Sequence, residues 1–218
     1  MTEVADFVRG VDTLVELLQH RAAERPDRTV FTFLADGELE GVRWSYAELD
    51  RRARAIGAVL QDAGAAGQRA ILIYPPGLEF LSAFFGCLYG GVVAVPAYPP
   101  DPGRLARTLP RLCAIARDAE TGFVLTTNDI LRLASDVTNA EPDLARLRWI
   151  ASDAVPAGSE SGWRPPGVGR DSVAFLQYTS GSTAAPKGVI VRYRNVMHNQ
   201  HMIQRQACRA AWLEGTLQ

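Results

Sequence analysis

Short, continuous apolar runs alternate with helical segments along this chain, and this alternation is what most constrains its fold. Residues 69–74 form one such run, residues 78–89 have the Phe- and Leu-rich pattern of a buried helix that ends at a pair of glycines, and residues 92–95 form the next run. Strands that are apolar on both faces are typical of parallel sheets covered by helices on both sides. The sequence therefore predicts an α/β fold with a mostly parallel sheet flanked by helices.

The same pattern continues through the middle of the chain. Residues 121–127 and 148–151 are predicted as a third and a fourth buried strand, with a helix over residues 129–137 between them. Residues 152–172 are rich in Pro and Gly, which predicts a loop. We divide the chain into four parts: an N-terminal helix and strand pair (1–42), an α/β sheet core (43–151), the loop (152–172), and a strand pair with a final helix (173–218).

Two polar residues mark the predicted starts of helices. Ser45 is followed three residues later by Glu48, which is the pattern of a capping box, in which the two residues satisfy each other's backbone N–H groups. Asn195 is predicted to cap a final helix of about fifteen residues that runs towards Trp212. These residues are predicted to have structural rather than catalytic roles.

A loop of unusual composition follows the apolar strand predicted at residues 173–177. Residues 178–188 have the sequence Tyr-Thr-Ser-Gly-Ser-Thr-Ala-Ala-Pro-Lys-Gly, which concentrates hydroxyls, glycines and one lysine. A strand that ends in such a loop presents backbone N–H groups, hydroxyls and an ammonium group to phosphate oxygens. The order of these residues differs from that of a Walker A loop. In a Walker A loop four residues separate the first glycine from a Gly-Lys-Ser/Thr sequence. A surface turn that is merely rich in Ser, Thr and Gly is the alternative interpretation.

Lys187 in this loop is the only lysine in the chain. The chain has 23 Lys and Arg residues in total, and the other 22 are arginines. Lysine carries a compact charge on a flexible stem, whereas arginine ends in a wide planar fork. A single lysine at this position favours a role in neutralising phosphate charge.

The order of residues in segment 178–188 resembles the phosphate-binding signature of the adenylate-forming superfamily, which includes acyl-CoA synthetases, luciferases and nonribosomal adenylation domains. Ala184 stands where that signature usually has glycine, and the fatty acyl-AMP ligase branch tolerates other small residues there. Residues 41–50 are similar to an early Ser/Thr-Tyr-x-Glu-Leu motif of the superfamily, and residues 86–100, which end in Ala-Tyr-Pro-Pro, resemble the same branch. The chain is therefore similar to the first part of the large N-terminal domain of a fatty acyl-AMP ligase.

This resemblance implies ATP-dependent ligase chemistry. A fatty acid carboxylate would attack the α-phosphorus of ATP bound with Mg2+, release pyrophosphate and leave an acyl-adenylate, with catalysis by positioning and electrostatic stabilisation. Lys187 would be the catalytic residue that neutralises the leaving group. The residues that the resemblance assigns to the nucleotide phosphates are Thr179, Ser180, Gly181, Ser182, Thr183, Lys187 and Gly188. The hydroxyls would hydrogen-bond the β- and γ-phosphates, and the glycines would allow a close approach of the backbone.

The resemblance also implies an acyl carrier protein as the usual acceptor of the acyl group. The adenine and ribose contacts, the hinge and the small C-terminal domain of such enzymes are expected beyond residue 218, so we expect the chain alone to be inactive. Two alternatives remain open. The chain is a fragment of an acyl-CoA synthetase or a nonribosomal adenylation domain, or it is a non-catalytic fragment that binds phosphate or pairs with another chain.

Composition argues against several other classes of protein. The net charge of −1 gives no electrostatic case for binding nucleic acid or a membrane surface, and no apolar run approaches the ~20 residues of a spanning helix. Cys87, Cys113 and Cys208 are far apart and the acidic N-terminus lacks a signal-peptide pattern, so we expect a cytoplasmic protein with reduced thiols. His198 and His201 have no carboxylate or thiol nearby in sequence, so no metal site is predicted.

Overall fold

In the computed structural model of the protein, the described residues are 10–34, 37–38, 40–100, 104–133, 141–179 and 186–213. The elements in chain order are α1 (Leu14–Glu24), β1 (Thr29–Leu34), β2 (Glu40–Ser45), α2 (Tyr46–Asp62), β3 (Arg69–Ile73), α3 (Leu78–Gly90), β4 (Val93–Ala97), α4 (Leu105–Asp118), β5 (Phe123–Thr126), α5 (Pro142–Ala145), β6 (Arg148–Ala151), β7 (Val173–Thr179), β8 (Lys187–Arg192) and α6 (Tyr193–Leu213). Two short 3₁₀ turns, Ser152–Ala154 and Ser159–Gly162, lie between β6 and β7.

Among the described residues, six strands form a central sheet in the order β6-β5-β3-β4-β7-β8. The first five of these strands run parallel to one another, and β8 is antiparallel to its neighbour β7. β1 and β2 form a separate antiparallel pair. The prediction of an α/β fold with a mostly parallel sheet flanked by helices is confirmed.

Side chains of the central strand β3 alternate between two apolar layers. Ile71 and Ile73 belong to a cluster that includes residues of α4, whereas Ala70 and Leu72 belong to a cluster that includes residues of α2 and α3. Because successive residues of a strand point to opposite faces, α4 covers one face of the sheet, and α2 and α3 cover the other. Burial on both faces explains why the strand sequence is continuously apolar.

α2 and α3 approach each other closely because each carries a glycine at the contact. A Cβ atom at Gly86 would lie 2.4 Å from Cγ2 of Ile56, and a Cβ atom at Gly57 would lie 3.0 Å from Cβ of Tyr89. Both distances are shorter than an ordinary van der Waals contact. A larger residue at Gly86 would therefore force the two helices apart or displace Ile56.

The loop over residues 152–172 packs onto α2 and α3. Trp163 Nε1 donates to the carbonyl oxygen of Tyr89 at 2.8 Å, and the two rings have centroids 5.3 Å apart. The Gln61 side chain donates to the carbonyl oxygen of Arg164 at 2.7 Å and accepts from its N–H at 3.1 Å. The segment predicted as a loop is therefore held along the helical layer by specific hydrogen bonds.

The two predicted helix starts have different outcomes. Ser45 is the N-cap of α2, as predicted, and its Oγ accepts from the N–H of Glu48 at 3.3 Å, whereas the Glu48 carboxylate binds two arginines of α2. α6 begins at Tyr193, so the prediction of Asn195 as its N-cap is wrong. The Oδ1 atom of Asn195 instead reaches back from the first turn and accepts from the N–H of Arg192 at 2.9 Å.

Three further predictions concern the helices and the division of the chain. Residues 128–133 are helical, which agrees with the start of the helix predicted over 129–137, and residues 134–137 lie outside the described residues. In the part of the chain that the structure describes, no helix combines the length and the apolar character needed to cross a membrane. The division of the chain at residues 42, 151 and 172 stays a prediction.

Candidate functional site

The candidate site lies at the edge of the central sheet where its parallel strands end. The last residues of β3, β4, β5, β6 and β7 are Ile73, Ala97, Thr126, Ala151 and Thr179. From this edge the chain leaves β3 towards α3 and leaves β4 towards α4, and these helices cover opposite faces of the sheet. In open α/β sheets, ligands bind outside the carboxyl ends of the strands, where successive connections diverge in this way.

Side-chain hydrogen bonds join three of these strand ends. Tyr74 and Ser152, which follow β3 and β6, share a hydrogen bond of 2.7 Å between their hydroxyl oxygens. Ser152 Oγ also donates to the carbonyl oxygen of Thr126 at 3.4 Å, and Thr126 Oγ1 donates to that of Ile73 at 2.7 Å. Burial raises the pKa of Tyr74, so its phenol stays neutral. The sequence analysis missed this network, for which the available signal was a hydroxyl residue at each strand end.

The hairpin of β7 and β8 carries both ends of the predicted phosphate loop. Thr179 at the end of β7 lies directly opposite Lys187 at the start of β8, and Tyr178 lies opposite Gly188. Thr179 and Lys187 are both exposed. Because directly opposite residues of an antiparallel pair have their side chains on the same face, a hydroxyl and an ammonium group lie side by side at this end of the hairpin.

The structure brings together a subset of the predicted site residues. Thr179, Lys187 and Gly188 lie in the hairpin. The others lie outside the described residues: Ser180, Gly181, Ser182 and Thr183. The contacts of the whole set with phosphate therefore stay predictions.

Gly188 has a packing reason to be glycine that the sequence analysis did not find. A Cβ atom at this position would lie 2.8 Å from Cζ of Tyr178 and 3.1 Å from its hydroxyl oxygen. The tyrosine ring thus lies over the glycine of the neighbouring strand, an arrangement by which aromatic side chains stabilise glycines at sheet edges. The predicted approach of Gly188 to phosphate stays a prediction, and a larger residue here would have to displace the ring of Tyr178.

Tyr178 also ties the hairpin to α4. Its hydroxyl donates a hydrogen bond to Oδ2 of Asp118, the last residue of α4. The side chain is 8% exposed, and burial, followed by the hydrogen bond to Asp118, raises the pKa of Tyr178. The phenol therefore remains a hydrogen-bond donor at neutral pH. This contact joins residues 60 positions apart, which is why the sequence analysis did not find it.

Two cavities lie elsewhere in the described part of the protein. One of about 330 Å3 lies between α1, β1, α2, α3 and α6, and none of the described signature residues lines it. Another of about 260 Å3 is lined in part by Arg170, Arg194, His198 and His201. Across the described ranges, no group of three or more His, Cys, Asp or Glu side chains is placed to hold a metal ion.

Comparison with known proteins identifies the family. Residues 18–215 match the family described as AMP-binding enzyme. The chain belongs to the AMP-binding enzyme family. The matched range includes the whole central sheet and both strands of the hairpin. The predicted membership of the adenylate-forming proteins is confirmed.

Several relatives of this AMP-binding chain are fatty acid ligases. It is 46% identical to the medium-chain-fatty-acid–[acyl-carrier-protein] ligase JamA of Moorena producens over 188 residues, which are 86% of this chain and 32% of the relative. It is 36% identical to the long-chain-fatty-acid–AMP ligase FadD32 of Mycobacterium marinum over 192 residues, which are 85% of this chain and 30% of the relative.

Solved structures show the same likeness. The crystal structure of a fatty acyl-adenylate ligase from L. pneumophila, in complex with acyl adenylate and pyrophosphate, matches with a TM-score of 0.78 and 36% identity. The match covers 88% of this chain and 32% of that one. The AMP-binding chain thus spans about a third of the length of the curated relatives it matches, at 30% and 32%.

Proposed function

We propose that the protein carrying this chain is a fatty acyl-AMP ligase, in which the carboxylate of a fatty acid displaces pyrophosphate from the α-phosphorus of ATP and forms an acyl-adenylate. The observation that carries the proposal is the β7–β8 hairpin, which places Thr179 beside Lys187 at the carboxyl edge of the sheet. The fatty acid ligases that match over 85% and 86% of the chain support a fatty acid as the substrate.

In this proposal Lys187 stabilises the leaving group. Its exposed ammonium group would lie beside the β- and γ-phosphates and balance the negative charge that develops as pyrophosphate leaves. The Thr179 hydroxyl would donate a hydrogen bond to the same phosphates, because it lies opposite Lys187. The proposed set is completed by hydroxyl and backbone N–H groups of Ser180, Gly181, Ser182, Thr183 and Gly188.

We propose that Mg2+ binds together with ATP. When bound to the phosphates it would supply charge neutralisation. In proteins Mg2+ usually keeps several waters and is held by one or two carboxylates together with substrate phosphates. Since the described residues offer no cluster of three or more potential ligands, we assign Mg2+ no protein ligand among them.

An acyl carrier protein is the proposed acceptor of the acyl group, and the cytoplasm is the proposed location. The carrier-protein ligase of Moorena producens supports this acceptor. Coenzyme A as the preferred acceptor would instead place the protein with acyl-CoA synthetases, and an amino acid substrate would place it with nonribosomal adenylation domains.

The test is an adenylation assay on the protein at its full natural length, with medium- and long-chain fatty acids, ATP and Mg2+. We expect pyrophosphate release that depends on the fatty acid, and an acyl-adenylate detected by mass spectrometry. A carrier protein bearing phosphopantetheine should then consume the adenylate faster than coenzyme A does. Activation of amino acids alone would overturn the proposed substrate, and ATP binding without pyrophosphate release would favour a non-catalytic nucleotide-binding protein.

Lys187→Ala gives the sharpest test of the mechanism. We expect kcat/KM for ATP to fall about 100-fold, because removing one stabilising group from a developing charge costs roughly 3 kcal/mol. Lys187→Arg should recover only part of the loss, since the guanidinium is wider and planar. Arg164→Ala is the control, because it removes another exposed cation, on the loop packed against α2, and should leave the kinetics unchanged. Normal kinetics in Lys187→Ala would exclude Lys187 from the mechanism.

A further inference from the structure

We propose that Tyr178 is a positioning residue for adenylation, which fixes the hairpin register that sets Thr179 beside Lys187. It does so through two contacts, a hydrogen bond to Asp118 and the packing of its ring on Gly188. This inference rests on the proposed function, since it concerns the same site. Tyr178 itself need not touch phosphate, because it acts through the residues that follow it.

The Tyr178–Gly188 pair lies directly next to the last described pair of the hairpin. One position further on, Thr179 faces Lys187. Because side chains alternate between the faces of a strand, a slip of one residue would turn the Lys187 ammonium group to the opposite face of the sheet. The register at the Tyr178–Gly188 pair therefore decides where the proposed catalytic charge lies.

Among the described residues, the end of β8 next to Lys187 has fewer contacts that specify the register than the far end, where Tyr193 is buried and its N–H donates to the carbonyl oxygen of Ser172 at 3.1 Å. Within this chain, which spans about a third of the length of its curated relatives, residues 187–190 of β8 are all exposed, so burial of an apolar face does not select one pairing over another there. At the far end of the hairpin the pairing has an irregularity between Val173 and Phe175. The ring of Tyr178 supplies a specific restraint, because a residue with a Cβ atom at position 188 would have to displace it.

The second contact links the hairpin to the core of the protein. Asp118 ends α4, and α4 residues pack in the same buried cluster as Tyr178. The hydrogen bond from a buried phenol to a carboxylate is charge-assisted and thus stronger than one between neutral groups. The edge hairpin is therefore restrained by a helix that the sheet itself holds in place.

The chain contains a matched control for this interaction. Tyr89 is fully buried at 0% exposure, and its hydroxyl donates to Oδ1 of Asp50 at 2.6 Å. This second Tyr–Asp pair joins α3 to α2, and neither residue belongs to the hairpin. Tyr89→Phe and Tyr178→Phe remove the same kind of hydrogen bond at two places.

The experiment compares these two variants in the protein at its full natural length. Both should lower the melting temperature by a similar amount. Only Tyr178→Phe should also lower kcat/KM for ATP. We expect a fall of about tenfold, because the variant loses one hydrogen bond to a charged group. The KM for the fatty acid should stay unchanged. Asp118→Ala should reproduce this loss. Tyr178→Phe should have a smaller further effect in a Lys187→Ala background, because part of its effect acts through Lys187.

A variant Tyr178→Phe that loses stability like Tyr89→Phe but keeps normal kinetics with ATP would overturn the proposal. If the unmodified protein forms no acyl-adenylate with any acid, the proposed function fails, and the register is then tested by hydrogen exchange. Amides of residues 187–192 should exchange about tenfold faster in Tyr178→Phe and at the normal rate in Tyr89→Phe. Equal exchange of these amides in both variants would overturn the positioning role by itself.

Discussion

β3 and β8 have similar apolar sequences but opposite surroundings. Ile71, Leu72 and Ile73 of β3 are at most 1% exposed, whereas Val189 and Ile190 of β8 are 51% and 59% exposed. β3 lies between β5 and β4 and is covered by helices on both faces, while β8 lies at the end of the strand order and pairs with β7. The position of a strand in the sheet therefore decides whether the same residue types form a core or an open edge.

The difference in exposure between β3 and β8 separates the part of the sheet that stabilises the fold from the part that carries the candidate site. The central strands provide the buried apolar area, and the edge hairpin carries the side chains that the proposed chemistry uses. An exposed strand keeps the Lys187 ammonium group hydrated and accessible to phosphate. In the described structure, the same exposure leaves the Lys187 end of the hairpin dependent on a small number of contacts, among them the hydrogen bond from Tyr178 to Asp118.

The largest expected effect on stability comes from the centre of the sheet. Leu72→Ala should lower the free energy of unfolding by about 2–5 kcal/mol, because it removes a fully buried side chain and leaves a cavity between β3 and the helices that cover it. Urea denaturation followed by circular dichroism measures this. A loss below about 1 kcal/mol would contradict the assignment of β3 to the core.

An intermediate effect is expected where the hairpin meets the tyrosine ring. Gly188→Ala should cost about 1–3 kcal/mol, because the new methyl group would displace the ring of Tyr178 and its hydrogen bond with it. Gly169→Ala is the control, since a Cβ atom there meets nothing within 4 Å, and it should change stability by at most about 0.5 kcal/mol. Equal costs for the two substitutions would show that the ring does not restrain Gly188.

The smallest effect is expected at the exposed edge. Ile190→Thr keeps a β-branched side chain on a strand surface that is already 59% exposed, so the free energy of unfolding of this chain should change by no more than about 0.5 kcal/mol. The same urea titration measures it. A loss comparable with that of Leu72→Ala would show that β8 is covered in solution, which would remove the contrast between the two strands.

The sequence predicted strands and a helix start correctly where a local pattern of residues determined the structure. Continuous apolar runs predicted the buried strands β3, β4 and β5, and Ser45 predicted the start of α2. The prediction of β6 as a buried strand was wrong, because β6 lies at the end of the strand order and none of its four residues is buried. Boundaries were less accurate. β4 runs to Ala97, beyond the run predicted at 92–95, because Pro96 is accommodated within the strand opposite Leu72. A proline lacks an N–H group, so sequence patterns assign it to strand ends.

In the candidate site, too, the local sequence pattern was informative and the contacts between distant residues were not predicted. The sequence placed Thr179 and Lys187 within a loop over residues 178–188. In the structure Thr179 ends β7 and Lys187 begins β8, where the two residues pair, because the hairpin ladder extends further than the apolar runs. The contact between Tyr178 and Asp118 was not predicted, and neither was that between Tyr74 and Ser152. Each joins residues far apart in the chain, and only the parallel arrangement of the strands brings their side chains together.

Lys187 carries the only primary amine among the side chains of this sequence, and it is exposed at the end of the hairpin. Any reagent or enzyme that acylates side-chain amines therefore has a single possible site of modification in this chain. Acetylation there would remove the charge that the proposed chemistry uses. Nucleotide bound at the site should shield this amine, so slower labelling of Lys187 by an amine-reactive dye would report nucleotide binding without any engineered residue.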